Sequence, residues 1–112
     1  MNINWAEELP GAITVCDKDA KILYLNSKAA KTFEKDGGKN LIGKSLYDCH
    51  PPIANEKIKE LLATQNKNSY TIEKNGVKKL IYQTPWFENE EFMGFVELSL
   101  EIPFEMAHFI RK

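Results

Sequence analysis

Tyr47-Asp48-Cys49-His50-Pro51-Pro52 concentrates the reactive side chains of this 112-residue chain ahead of a run with helical spacing. Three chemistries compete for it: a metal site, a nucleophile–base pair, or only the start of a helix. A zinc site needs three or four ligands. Cys16, Cys49, His50 and His108 offer no motif spacing, so no metal is expected. A Cys49–His50 dyad fails on geometry, because adjacent residues in extended backbone point to opposite sides. No catalytic residue is assigned. The helix start has direct support. Proline at a first helical position lacks only an N–H that had no helical partner. The residue before it is driven to extended backbone, placing His50 just outside the helix. Asp48 sits near the positive end of the same helix.

The elements that position these residues follow from periodicity. AITVCDKDAKILYLN reads as two strands around Asp17 to Ala20, and SKAAKTFEKDGG as a short helix with Ser27 as N-cap, closed by Gly37-Gly38. From Pro51 to Gln65, Ala54, Ile58, Leu61, Leu62 and Gln65 share one helical face. SYTIEK and VKKLIYQTPW flank Asn75-Gly76, a type I′ turn signal. Pro85 predicts an edge or a bulge near Trp86. In FMGFVELSLEI, Val96, Leu98, Leu100 and Ile102 alternate with Glu97, Ser99 and Glu101. The apolar set is expected to face the core with Ile58, Leu61, Leu62 and Tyr82. The acidic run Glu88 to Glu91 reads as a solvated turn. The predicted class is α+β: one antiparallel sheet with helices packed on one face.

Composition narrows the function. Fifteen basic and sixteen acidic residues nearly cancel and are interleaved, so no field steers the chain to nucleic acid or membrane. No apolar stretch reaches the roughly 18–20 residues of a bilayer span, and MNINWAEELPG lacks the basic start of a signal peptide. Two cysteines 33 positions apart fit no disulfide framework. A cytoplasmic, soluble single domain is expected. Ile3, Trp5 and Leu9 before the first strand, and Phe104, Met106, Phe109 and Ile110 after the last, must cover a surface.

ELPGAITVCDKDAKILYLNSKAAKTF resembles the opening of a PAS domain: strand, acidic turn, second strand, Asn26, and a helix ending in Phe33. LIGKSLYDCHPP resembles the connector before that family's long helix, and EFMGFVELSLEI its final strand. The likeness covers about residues 8 to 102, and the Cys-His-Pro-Pro variant is similar to a bacterial subgroup. It implies a five-stranded antiparallel sheet in order 2-1-5-4-3, one PAS domain over residues 1–112 with a short N-terminal helix, and a sensory role.

A small ligand would sit in a mostly apolar pocket lined by Tyr47, Cys49, His50, Ile58, Leu61, Leu62, Tyr82, Val96 and Leu98. The resemblance also offers haem as a cofactor, with His50 as axial ligand and Met93 or Cys49 as the second. A cysteinyl-flavin adduct is not expected, because Cys49 lies six residues beyond Gly43. With no output domain expected, a signal passes by homodimerisation through Trp5 and Phe104 to Ile110, or to a separate signalling protein. A small proton-transfer enzyme is the remaining alternative. It would need a cavity-facing carboxylate, and Glu97 and Glu101 are expected to face away.

Overall fold

The computed structural model describes residues 3–48 and 50–112. Five strands, β1 (Ala12–Asp17), β2 (Ile22–Leu25), β3 (Asn68–Lys74), β4 (Val77–Glu88) and β5 (Glu91–Ile102), form one antiparallel sheet in the order β2-β1-β5-β4-β3. The helices α1 (Ser27–Thr32) and α2 (Pro52–Thr64) lie in the connection between β2 and β3, with three short 3-10 turns between them. This is the α+β sheet that the sequence predicts, in the strand order that the resemblance to PAS domains implies.

Local chemistry explains the turns. Asp17 Oδ1 accepts from the backbone N–H of Asp19 and of Lys21, both at 2.9 Å, closing the β1–β2 hairpin around fully buried Ala20. Asn75 and Gly76 both adopt positive φ, 53° and 77°, as a type I′ hairpin requires. Asn89 and Glu90 do the same at 51° and 69°, so Glu88 to Glu91 is indeed a hairpin turn. Pro85 pairs with Phe95 of β5, but the β3 pairing of β4 ends at Gln83. Pro85 therefore lies on a locally free edge as expected, and the predicted bulge follows between Trp86 and Phe87.

Asn26, not Ser27, caps α1, and it also ties the N-terminal segment to the sheet. Its Oδ1 accepts from the N–H of Ile13 (2.9 Å) and Ala29 (3.0 Å). Its Nδ2 donates to the carbonyls of Ala6 (2.9 Å) and Gly11 (2.8 Å). Every hydrogen-bonding position of this fully buried amide is used. Ahead of it, Glu7 accepts from Tyr24 (2.5 Å), Ser27 (3.0 Å) and Lys39 (2.7 Å). The segment around Glu7 is a turn rather than the helix expected there.

The faces of the sheet correct one expectation. Residues paired across antiparallel strands share a face. Thr14 pairs with Glu97 and Glu97 with Gln83, while Cys16 pairs with Phe95. Cys16 and Phe95 pack with Leu61 of α2, so that set faces the helices. Ile13, Tyr82 and Leu98 pair with one another on the opposite face, and alternation puts Val96, Leu100 and Ile102 there too. The apolar stripe of β5 therefore covers the outer face, half-buried, and the inner face carries Phe95, Glu97 and Ser99.

Gly94 sets this arrangement. Its φ is +147°, and a Cβ there would overlap the Cys16 carbonyl oxygen and Asp17 Cα. Trp86, paired with Gly94, reaches over it and donates its indole N–H to the Cys16 carbonyl at 3.0 Å.

Candidate functional site

A cavity of about 230 Å³ lies between α2 and the inner face of the sheet. The inward residues of β1 that line it, Thr14 and Cys16, are small and leave space that α2 does not fill. Its walls are mostly apolar, from Ile22 and Leu25 of β2, Phe33, Leu41 and Leu46 of the connector, Ile58, Leu61 and Leu62 of α2, and Phe95. Among the described residues, Thr14, His50, Lys57, Tyr70, Gln83 and Glu97 are the polar ones lining it.

Of the residues expected at the site, the structure brings His50, Ile58, Leu61, Leu62 and Val96 to the lining. Val96 does so from a position whose side chain alternates to the outer face. Tyr82 and Leu98 are on that outer face and do not line the cavity, a direct result of the reversed orientation of β5. Tyr47 is half-buried beside it without lining it. Its backbone carbonyl accepts from Asn55 Nδ2 at 3.0 Å, and the Lys59 ammonium lies 5.7 Å from its ring centroid. Burial, with the nearby Cys16 and Asp19, pushes the Tyr47 hydroxyl up. Cys49 lies outside the described residues.

The sequence reading missed Glu97, Gln83, Thr14 and Tyr70. Glu97 Oε1 accepts from Gln83 Nε2 at 2.9 Å, and Gln83 Oε1 accepts from Asn68 Nδ2 at 2.8 Å. With Thr14 these residues form one rung across β1, β5, β4 and β3. The Glu97 charge is felt by its neighbours. Burial first, then Glu97, pushes the Tyr70 hydroxyl up. Burial also pushes the Cys16 thiol up, against a backbone hydrogen bond from Phe95 and with help from Asp17 and Glu97. A carboxylate does face the cavity, so strand alternation does not exclude proton-transfer chemistry.

His50 Nδ1 lies 2.8 Å from the Leu46 carbonyl. A carbonyl only accepts, so Nδ1 carries a proton. The space does not suit haem. A dry cavity of about 150 Å³ holds one benzene, and about 230 Å³ does not admit the four linked pyrrole rings of a porphyrin unless α2 moves away. Met93, the expected second ligand, does not line the cavity. Among the described residues, no group of three or more His, Cys, Asp or Glu is arranged to hold a metal ion. No helix there is long and apolar enough to cross a membrane.

Solved structures share this architecture at low identity. The C-terminal domain of a Streptococcus mutans protein superposes with a TM-score of 0.69 at 23% identity, over 86% of this chain and 78% of that one. A sensory box sensor histidine kinase from Vibrio cholerae gives 0.64 at 14% identity, over 86% and 85%. The Aer2 receptor from Vibrio cholerae, a dual PAS-heme oxygen sensor, gives 0.60 at 13% identity, over 83% and 95%. No curated protein matches the chain significantly. The family model of the PAS fold matches residues 6–65, which includes the acidic hairpin turn, Asn26 and all of α2. With the strand order and the cavity between long helix and sheet, this places the chain in the PAS fold family, whose members are sensory modules.

Proposed function

We propose that residues 1–112 form one bacterial, cytoplasmic PAS module that binds a small, mostly apolar ligand between α2 and the sheet and signals by association. The observation that carries this reading is the apolar cavity, large enough for one small molecule and closed on one side by a single helix. Association is supported by the chain ends. Trp5 is 64% exposed, Phe104 53%, Met106 58%, Phe109 68% and Ile110 84%. The outward stripe of β5, Val96, Leu98, Leu100 and Ile102, is apolar as well. The proposed contact is a homodimer through Trp5 and Phe104 to Ile110, with a separate signalling protein as the alternative partner.

A native mass spectrum of the purified protein tests both halves. A dimer mass carrying a small non-covalent addition that denaturation removes is the expected result. Trp5→Ala combined with Phe109→Asp is expected to leave a monomer that keeps the addition. A bare monomer that no small molecule perturbs would overturn the proposal. A Soret band after addition of haemin, lost in His50→Ala, would move the assignment to a haem sensor.

A further inference from the structure

We infer that the cavity selects small apolar molecules bearing a cationic nitrogen, and that the Glu97 carboxylate is the group that contacts that nitrogen. This rests on the ligand-binding reading above and names the chemistry of its ligand.

The rung Asn68–Gln83–Glu97 is directional. An ionised carboxylate only accepts hydrogen bonds, so Gln83 must present Nε2 to Glu97 and Oε1 to Asn68. Asn68 in turn must present Nδ2. Two amides on neighbouring strands are thereby spent on holding one carboxylate oxygen in place. The second oxygen, Oε2, has no hydrogen-bond donor among the described residues, and the residue lines the cavity. Glu97 lines the cavity, so a cation on the ligand there would form a charge-assisted hydrogen bond with its carboxylate.

Lysine does not fill the role. Lys57 is the one lysine lining the cavity, and its Nζ lies 3.2 Å from Glu60 Oε2 at the exposed side of α2. Neither of the other ion pairs among the described residues, Lys39–Glu7 and Lys59–Glu56, involves Glu97. After burial, the Glu97 charge adds to the upward push on the Tyr70 hydroxyl and the Cys16 thiol. That is the direction expected of a nearby anion, which would favour a cation beside it. The apolar walls take the rest of the molecule, and about 230 Å³ limits it to one ring with a short arm.

Three probes of nearly one shape separate the possibilities: benzylammonium, benzyl alcohol and benzoate, titrated into the full chain and followed by backbone amide NMR shifts. Benzylammonium is expected to bind about tenfold or more tighter than benzyl alcohol, because a charge-assisted hydrogen bond is roughly twice as strong as a neutral one. Its shifts are expected at Thr14, Gln83 and Glu97, and benzoate is expected not to bind. Glu97→Gln keeps an acceptor for Gln83 and should reduce the amine to parity with the alcohol. Equal binding of amine and alcohol by the unaltered chain, preference for benzoate, or an amine advantage that survives Glu97→Gln overturns this inference alone. Failure of all three probes to move any cavity-lining amide overturns it together with the ligand-binding reading.

Discussion

Around Asn26, four hydrogen bonds satisfy one buried amide, and Ile22, Leu25 and Ala29 pack beside it with at most 1% exposure. Around Glu97, two amides hold one oxygen, small side chains leave a hollow, and α2 reaches the core through Leu61 and Leu62. Both regions draw on β1, through Ile13 in the first and Thr14 in the second. The polar groups of the first are spent internally and fix the fold. Those of the second hold one oxygen of Glu97 and leave the other without a protein donor among the described residues. A buried polar group therefore reads as structural or functional by whether its bonds are complete.

The sharpest way to break this contrast is Asn26→Ala. It strips partners from the N–H of Ile13 and Ala29 and the carbonyls of Ala6 and Gly11. An expected loss of about 3–5 kcal/mol follows from several buried groups left unpaired. Urea denaturation showing less than about 1 kcal/mol would remove the amide from its structural role. Truncating apolar groups on the two sides comes next. Ile13→Ala should cost about 3 kcal/mol, within the range for a buried isoleucine away from the cavity. Ile58→Ala, on a half-buried wall already facing a hollow, should cost about 1 kcal/mol or less. Equal costs would mean that the helix side is as tightly packed as the other.

Proton linkage sharpens the comparison further. Lys39 and Tyr24 hold the Glu7 carboxyl down from 4.5 to about 2. A depressed acid adds stability above its unfolded value and loses it as pH falls, here between 4.5 and about 2. Tyr24 goes the other way. Burial and Glu7 raise its hydroxyl from 10.0 to about 12, so its contribution is present below pH 10 and fades as pH rises through 12. The amides of residues 5–9 should therefore lose protection against hydrogen exchange at both extremes before those of α2 do. Simultaneous loss in both regions would argue for one cooperative unit.

The smallest expected effect is at the β4–β5 turn, outside both regions. Glu90 holds φ at 69°, where only glycine is free of strain, so Glu90→Gly should raise stability by about 0.5–1 kcal/mol with ligand binding unchanged. A denaturation midpoint that falls would contradict the strain at this position.

Much of the fold was legible because its signals are local. Asn75-Gly76, Asp17 to Ala20, the prolines before α2 and the spacing of Ile58, Leu61 and Leu62 each act over a few residues. The orientation of β5 was not legible from its own pattern. Val96, Leu98, Leu100 and Ile102 form the cleaner apolar set, yet they lie on the outer face rather than under the helices. A shift of one residue exchanges the two faces of a strand, and this error carried Tyr82 and Leu98 into the expected site and Glu97 out of it. One clue was present. In AITVC the alternate residues Ala12, Thr14 and Cys16 are small, as an inner face with a hollow requires. Asn26 was read as part of a motif and not as the cap, because its reach to Ala6, Gly11 and Ile13 is tertiary.

Cys16 presents its side chain to the hollow while its carbonyl receives the Trp86 indole from the reverse of the sheet. The chain has only two tryptophans, and Trp5 stands in solvent. In Trp5→Phe protein, fluorescence would come from Trp86 alone, an intrinsic dye bonded to the back of the wall that a guest would press against. Arrival of a guest could then be followed optically, with no label attached.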